Sequence, residues 1–127
     1  MLKSVSGIIF LVKDLAKSLD FYKELGFGLK SEPSDEYAKV YLNWFWIELL
    51  QKDAVITKEF KKDLDKESLG AGAYIHISID NIDGYFSDLK QKGFDILSEP
   101  QNYPWGHREF VIADPDGYKL VFFTKLK

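Results

Sequence analysis

The chain has 127 residues, 17 Lys and Arg against 20 Asp and Glu, a formal net charge of −3 and no cysteine. That length suits one domain, and the lack of cysteine excludes disulfide stapling, thiolate nucleophiles and cysteine-ligated zinc. No basic stripe points to nucleic acid, and no apolar run approaches a secretory leader or a membrane span, so a cytoplasmic address is expected. The hydrophobic fraction of 46% supports a buried core. Three Trp, seven Tyr and ten Phe exceed what a small core needs, so some are expected to line a cavity or an interface.

Residues Val5 to Val12 read as a strand, with Ile8, Phe10 and Val12 on one face by period two. Asp14 stands where a helix N-cap belongs, and Leu15, Leu19, Tyr22 and Leu25 follow at helical spacing. Gly26 ends that helix, and Phe27 to Lys30 opens a strand before the turn Glu32-Pro33-Ser34-Asp35. Two more strands, Tyr37 to Leu42 and Trp44 to Leu50, meet at a tight turn near Asn43. Downstream, Tyr74 to Ile79 reads as a strand, Asp80-Asn81 as a cap region, Ile82 to Lys92 as a helix ended by Gly93, and Phe94 to Leu97 as the start of another strand. Glu109 to Ala113 and Tyr118 to Phe123 are the last strands, split by the turn Asp114-Pro115-Asp116-Gly117.

The two halves repeat one another. Val12-Lys13-Asp14-Leu15 aligns with Ile79-Asp80-Asn81-Ile82, and Leu25-Gly26-Phe27 with Lys92-Gly93-Phe94, at a constant offset of 67 (79 − 12 and 93 − 26). The expected fold class is therefore α+β, built from two tandem βαβββ modules, 1–53 and 72–127. A charge-rich linker, 54–71, joins them and is expected to hold a short solvated helix.

Val12-Lys13-Asp14-Leu15 leading to Phe21-Tyr22-Lys23-Glu24-Leu25-Gly26-Phe27 resembles the first-module helix signature of the vicinal oxygen chelate superfamily, which includes glyoxalases, extradiol dioxygenases and bleomycin-resistance proteins. Pro104-Trp105-Gly106-His107-Arg108-Glu109-Phe110, followed by Asp114-Pro115-Asp116-Gly117-Tyr118, resembles the second-module ending of its bleomycin-resistance branch. The resemblance implies a curled mixed sheet with a concave groove, and a homodimer. It leaves activity open, because glyoxalase I, the dioxygenases and the fosfomycin-resistance enzymes use a divalent metal, whereas bleomycin-binding proteins sequester a drug without chemistry.

The resemblance also marks four metal-ligand positions: Gly7, Glu48, Tyr74 and Val121. Glycine and valine offer no ligating side chain, tyrosine suits the usual divalent ions poorly, and a catalytic metal wants about three protein ligands. No metal cofactor is expected on that count. The alternative is a divalent metal caught by Glu48 and His76, since His76 shares a strand face with Tyr74.

With Ile75, Ile77 and Ile79 assigned to the core, Tyr74, His76 and Ser78 face the groove; with Ile47 and Leu49 in the core, Trp46, Glu48 and Leu50 face it. From the last strand Lys119, Val121 and Phe123 are groove candidates, and Trp105 is a candidate wall or lid. The candidate ligand contacts are thus Trp46, Glu48, Tyr74 and His76, with Trp105, Phe110 and Phe123 from the second-module ending. Each has a structural alternative. The aromatic residues also suit the sheet's curl or a dimer contact, and Glu48 also suits a pairing with Lys119, Tyr74 or His76. Arg108 and Glu109 read either as a surface ion pair or as support for the groove's rim.

The function expected from this pattern is a metal-free small-molecule binding protein of bleomycin-resistance type. The alternatives are a metal-dependent glyoxalase-like lyase or dioxygenase, and a metal-free enzyme using His76 and Glu48 as base and acid.

Overall fold

The computed structural model describes residues 1–55, 61, 64 and 69–127. It divides into two compact units, Met1–Leu69 and Gly70–Lys127. Each described sheet has four strands, and the class is α+β, as the repeated pattern predicts. The greater part of the charge-rich linker, with the helix expected in it, lies outside the described residues. Among the described residues no helix is long and apolar enough to cross a membrane.

In the first unit β1 (Gly7–Val12), α1 (Leu15–Leu25), β2 (Gly28–Leu29), β3 (Tyr37–Leu42) and β4 (Phe45–Gln51) follow one another, and a single 3-10 turn (Lys52–Ala54) comes next. The sheet order is β1-β4-β3-β2, with β1 parallel to β4 and the other pairs antiparallel. Helix α1 starts because the Asp14 carboxylate accepts the Lys17 N–H at 3.1 Å. Gln51 ties that start to the sheet, accepting the Leu15 N–H at 2.9 Å and donating to the Lys13 carbonyl at 2.6 Å. The helix stops at Gly26, whose φ of 113° few other residues tolerate. Leu15 and Tyr22 carry its apolar stripe onto β3 and β4, where Val40, Ile47 and Leu49 are fully buried. Phe10 and Val12 join that core as expected, but Ile8 remains 37% exposed and Leu11 is buried. The far end of β1 is covered on both faces, so simple alternation does not describe it.

The second unit repeats the plan with β5 (Tyr74–Ser78), α2 (Ile82–Gln91), β6 (Asp95–Asn102), β7 (His107–Ala113) and β8 (Lys119–Lys125) in the order β5-β8-β7-β6. Asn81 caps α2, accepting the Gly84 N–H at 3.3 Å. Ile82 and Leu89 bury against the sheet with Phe110, Ile112, Leu120 and Phe122. Strand β6 continues from the start read at Phe94 to Leu97 as far as Asn102. Pro100 reads as a breaker, yet β6 is the edge of the sheet and carries register shifts at Ile96/Ser98 and Ser98/Gln101, so a missing N–H is tolerated. The β7–β8 turn forms as its residues dictate: one Asp114 carboxylate oxygen accepts the N–H groups of Asp116 and Tyr118 at 2.8 and 2.9 Å.

Candidate functional site

The two units use the same strand register. In the first, Gly7 lies opposite Trp46 and Ile9 opposite Glu48; in the second, Tyr74 lies opposite Lys119 and His76 opposite Val121. First-strand positions are offset by 67 (74 − 7 and 76 − 9) and last-strand positions by 73 (119 − 46 and 121 − 48). The four positions singled out by resemblance therefore occupy equivalent places, two in each unit.

In the first unit Ile47 and Leu49 point into the core, leaving Trp46 and Glu48 half-buried on the other face. Glu48 is paired within its own sheet, with a partner that the sequence reading did not name. Its Oε1 accepts the Tyr37 hydroxyl at 2.6 Å, an aromatic donor from the neighbouring strand β3. Burial, then the hydrogen bond and the charge of Glu48, push the Tyr37 pKa up from 10.0 to about 12, so the phenol stays a donor at neutral pH. The Lys39 ammonium lies 4.2 Å from the Trp46 ring centroid, so one ring face already holds a cation from the same sheet. Trp46 also fills the space beside Gly7. A Cβ placed there would stand 2.1 Å from Trp46 Cδ1 and 2.2 Å from the Trp46 carbonyl oxygen. The position has no room for any side chain, ligating or not.

In the second unit Tyr74, His76 and Ser78 lie on the open side of β5 while Ile77 is buried, as alternation predicts. Tyr74 is 65% exposed, with the Lys119 ammonium 5.6 Å from its ring centroid. Val121 is buried. His76, Trp105 and Phe123 come together around a residue that sequence reasoning left at the rim. Glu109 stands opposite Phe123 in the β7–β8 ladder and is only 6% exposed. Its Oε2 accepts the Trp105 indole N–H at 2.9 Å and lies 3.1 Å from His107 Nδ1 and 4.0 Å from His76 Nε2. The His107 ring stacks on Phe123 at 4.5 Å, and His76 approaches the same ring at 5.0 Å.

Two expectations are corrected here. Phe110 does not face the open side: it is fully buried against Phe86, Tyr85 and Phe122 beneath α2. Period two explains this, because Glu109 occupies the open face and its neighbour must take the other. For the same reason Arg108 and Glu109 do not pair. Arg108 reaches Asp83 on α2 through two hydrogen bonds of 2.7 and 3.1 Å, which holds the Asp83 carboxyl below its ordinary pKa. The missed residues are Tyr37, His107 and Glu109. For Glu109 a signal existed in the sequence: once Phe123 is placed on the open face, an antiparallel partner on the same face must be found in the preceding strand.

The comparisons with known proteins agree with this architecture. The chain is 32% identical over 124 residues to the protein YraH of Bacillus subtilis, covering 94% of this chain and 95% of that one. It is 31% identical over 120 residues to a lactoylglutathione lyase of Neisseria meningitidis (90% and 85% covered). To the metallothiol transferase FosB of Staphylococcus haemolyticus it is 27% identical over 129 residues (98% and 85%). Among solved structures, a glyoxalase/bleomycin resistance protein/dioxygenase from Nocardioides superposes with a TM-score of 0.83 at 21% identity, covering 100% of this chain and 86% of that one. TnmS3, an antibiotic binding protein from a Streptomyces species, superposes with a TM-score of 0.74 at 22% identity (98% and 97%). These structures share the fold.

The residues present do not fit the divalent ion that the resemblance associates with metal-dependent members. Gly7 has no space for a ligand, Val121 has no donor atom, and Tyr74 is a phenol. Among the described residues no three His, Asp or Glu side chains are grouped to hold a metal ion. Family descent rests on the whole chain rather than on those four positions. The Glyoxalase/Bleomycin resistance protein/Dioxygenase superfamily matches residues 5–122, and this protein belongs to it.

Proposed function

We propose that this protein binds a small molecule without the help of a metal ion, in the manner of the antibiotic-binding members of its superfamily. The observation that carries the reading is Gly7. The first-strand ligand position is filled by the ring and carbonyl of Trp46, so the site has been rebuilt around an aromatic residue. Taken separately, the open sheet face of each unit presents what small-molecule sites present, aromatic rings and a fixed polar group: Glu48 held by Tyr37 in the first unit and Glu109 held by Trp105 in the second. A homodimer belongs to the same proposal, on the family resemblance and the exposed aromatic residues Tyr74 and Trp105.

Elemental analysis of protein purified without chelators tests the reading, followed by tryptophan-fluorescence titrations with drug-like aromatic compounds. Metal well below one equivalent, together with saturable quenching that added divalent ions leave unchanged, is the expected result. A stoichiometric ion surviving dialysis would sink the proposal. It would instead favour a metal-dependent lyase or transferase, the second reading, which the 31% identity to a lactoylglutathione lyase supports.

A further inference from the structure

Glu109 is a carboxylate in surroundings that stabilise it incompletely. It is 6% exposed, yet among the described residues no Lys or Arg lies within ion-pair distance of it. Its neighbours are an indole and two imidazoles, and the donors converge on Oε2. Among the described residues no donor meets Oε1, and that atom is not sealed from its surroundings either. A buried carboxylate with one oxygen saturated and the other open costs free energy that a cationic partner would recover.

The rings around it are already in place. Trp105 projects from the β6–β7 turn, where Gly106 takes a φ of 89°, and it is 61% exposed while stacked on Tyr103 at 4.5 Å and 13°. Its N–H to Glu109 fixes the indole's orientation, so little ordering remains for a ligand to induce. His76, with 54% of its side chain exposed, and the stacked His107–Phe123 pair form the remaining boundary. The nearby ammonium groups are engaged or placed elsewhere: Lys119 lies over Tyr74, and Lys125 stands opposite His107 in the ladder without reaching Glu109.

We infer that Glu109 Oε1 is the anchor of a ligand subsite on the open face of the second sheet, selective for a planar cationic nitrogen group such as an aryl amidinium. Oε1 accepts a charge-assisted N–H bond from such a group, and the flat ring lies against Trp105 or His76. A neutral amide of the same shape forfeits the charge term, and a carboxylate or phosphate is repelled. The inference rests on the ligand-binding reading above and names the chemistry of the ligand.

The probe pair is benzamidine and its neutral isostere benzamide, titrated into the intact protein by calorimetry and by tryptophan fluorescence. Benzamidine should bind saturably and at least tenfold more tightly than benzamide, about 1.4 kcal/mol or more in binding free energy. Glu109→Gln, which keeps an acceptor for the Trp105 N–H, should erase that preference, and the surface control Glu24→Gln should retain it. The discrimination in unaltered protein needs no variant, so a misfolded Glu109→Gln does not weaken the test. Equal affinity for both probes, no saturable binding of either, or an undiminished preference in folded Glu109→Gln overturns the inference. These outcomes differ from the bound metal that would overturn the functional reading itself.

Discussion

Glu48 and Glu109 sit on strand faces in different units, and each is held by an aromatic donor, the Tyr37 hydroxyl or the Trp105 indole. A hydroxyl can be removed with little change of shape, which makes Tyr37→Phe an informative substitution. It deletes the donor to Glu48 and should cost about 1 kcal/mol in urea unfolding at neutral pH. The same residue sets an alkaline signature. Its pKa is raised from 10.0 to about 12 in the folded protein, so folding holds the phenolic proton more tightly. That contribution is complete below pH 10 and disappears as pH rises through about 12. Tyr85 behaves alike, pushed up to about 12 by burial and then by the charge of Asp88. Stability should therefore fall between pH 10 and 12, and Tyr37→Phe should flatten part of that fall, as unfolding midpoints across the window will show.

Elements depend on contacts that single residues control. Helix α1 begins at the Asp14 cap, and Asp14→Ala should lower stability by about 1 kcal/mol, read as a lower thermal midpoint with an unchanged core. Strand β1 approaches Trp46 as closely as it does because residue 7 is glycine. Gly7→Ala should force the indole and the β4 backbone aside and cost about 1–3 kcal/mol, with an altered tryptophan emission maximum as its marker. A variant with normal stability and emission would show that β4 yields easily and that the metal position remains recoverable. Edge strand β6 shows the converse, tolerating Pro100 and two register shifts because among the described residues one side of it carries no ladder.

Across the whole molecule, the same βαβββ plan and strand register occur twice, and the positions that the resemblance marks as metal ligands carry different side chains in the two copies, Gly7 against Tyr74 and Glu48 against Val121. A protein whose fold needs no ion should not respond to chelation. Its thermal midpoint should not rise when EDTA or excess Zn²⁺, Mn²⁺ or Mg²⁺ is added, because only a species that binds the native state raises it. A rise with one of those ions, reversed by EDTA, would contradict the proposed function.

By itself the sequence determined the repeat, the two caps, the Asp114–Gly117 turn, the family and the unsuitability of Gly7 and Val121 as ligands. The repeat, the caps and the turn are local signals or spacings, a capping carboxylate, a glycine at positive φ, an offset held from motif to motif; the family and the ligand positions came from the resemblance of those motifs. Tertiary structure decided which acid met which donor. Tyr37 reaches Glu48 across a ladder whose register is set by pairing, and Glu109 displaces Phe110 from the open face because adjacent residues in a strand must point to opposite sides. Neither the phenol above Glu48 nor the indole and imidazoles around Glu109 could be assigned before the strands were paired, since such contacts depend on distance in space and leave no periodic trace along the chain.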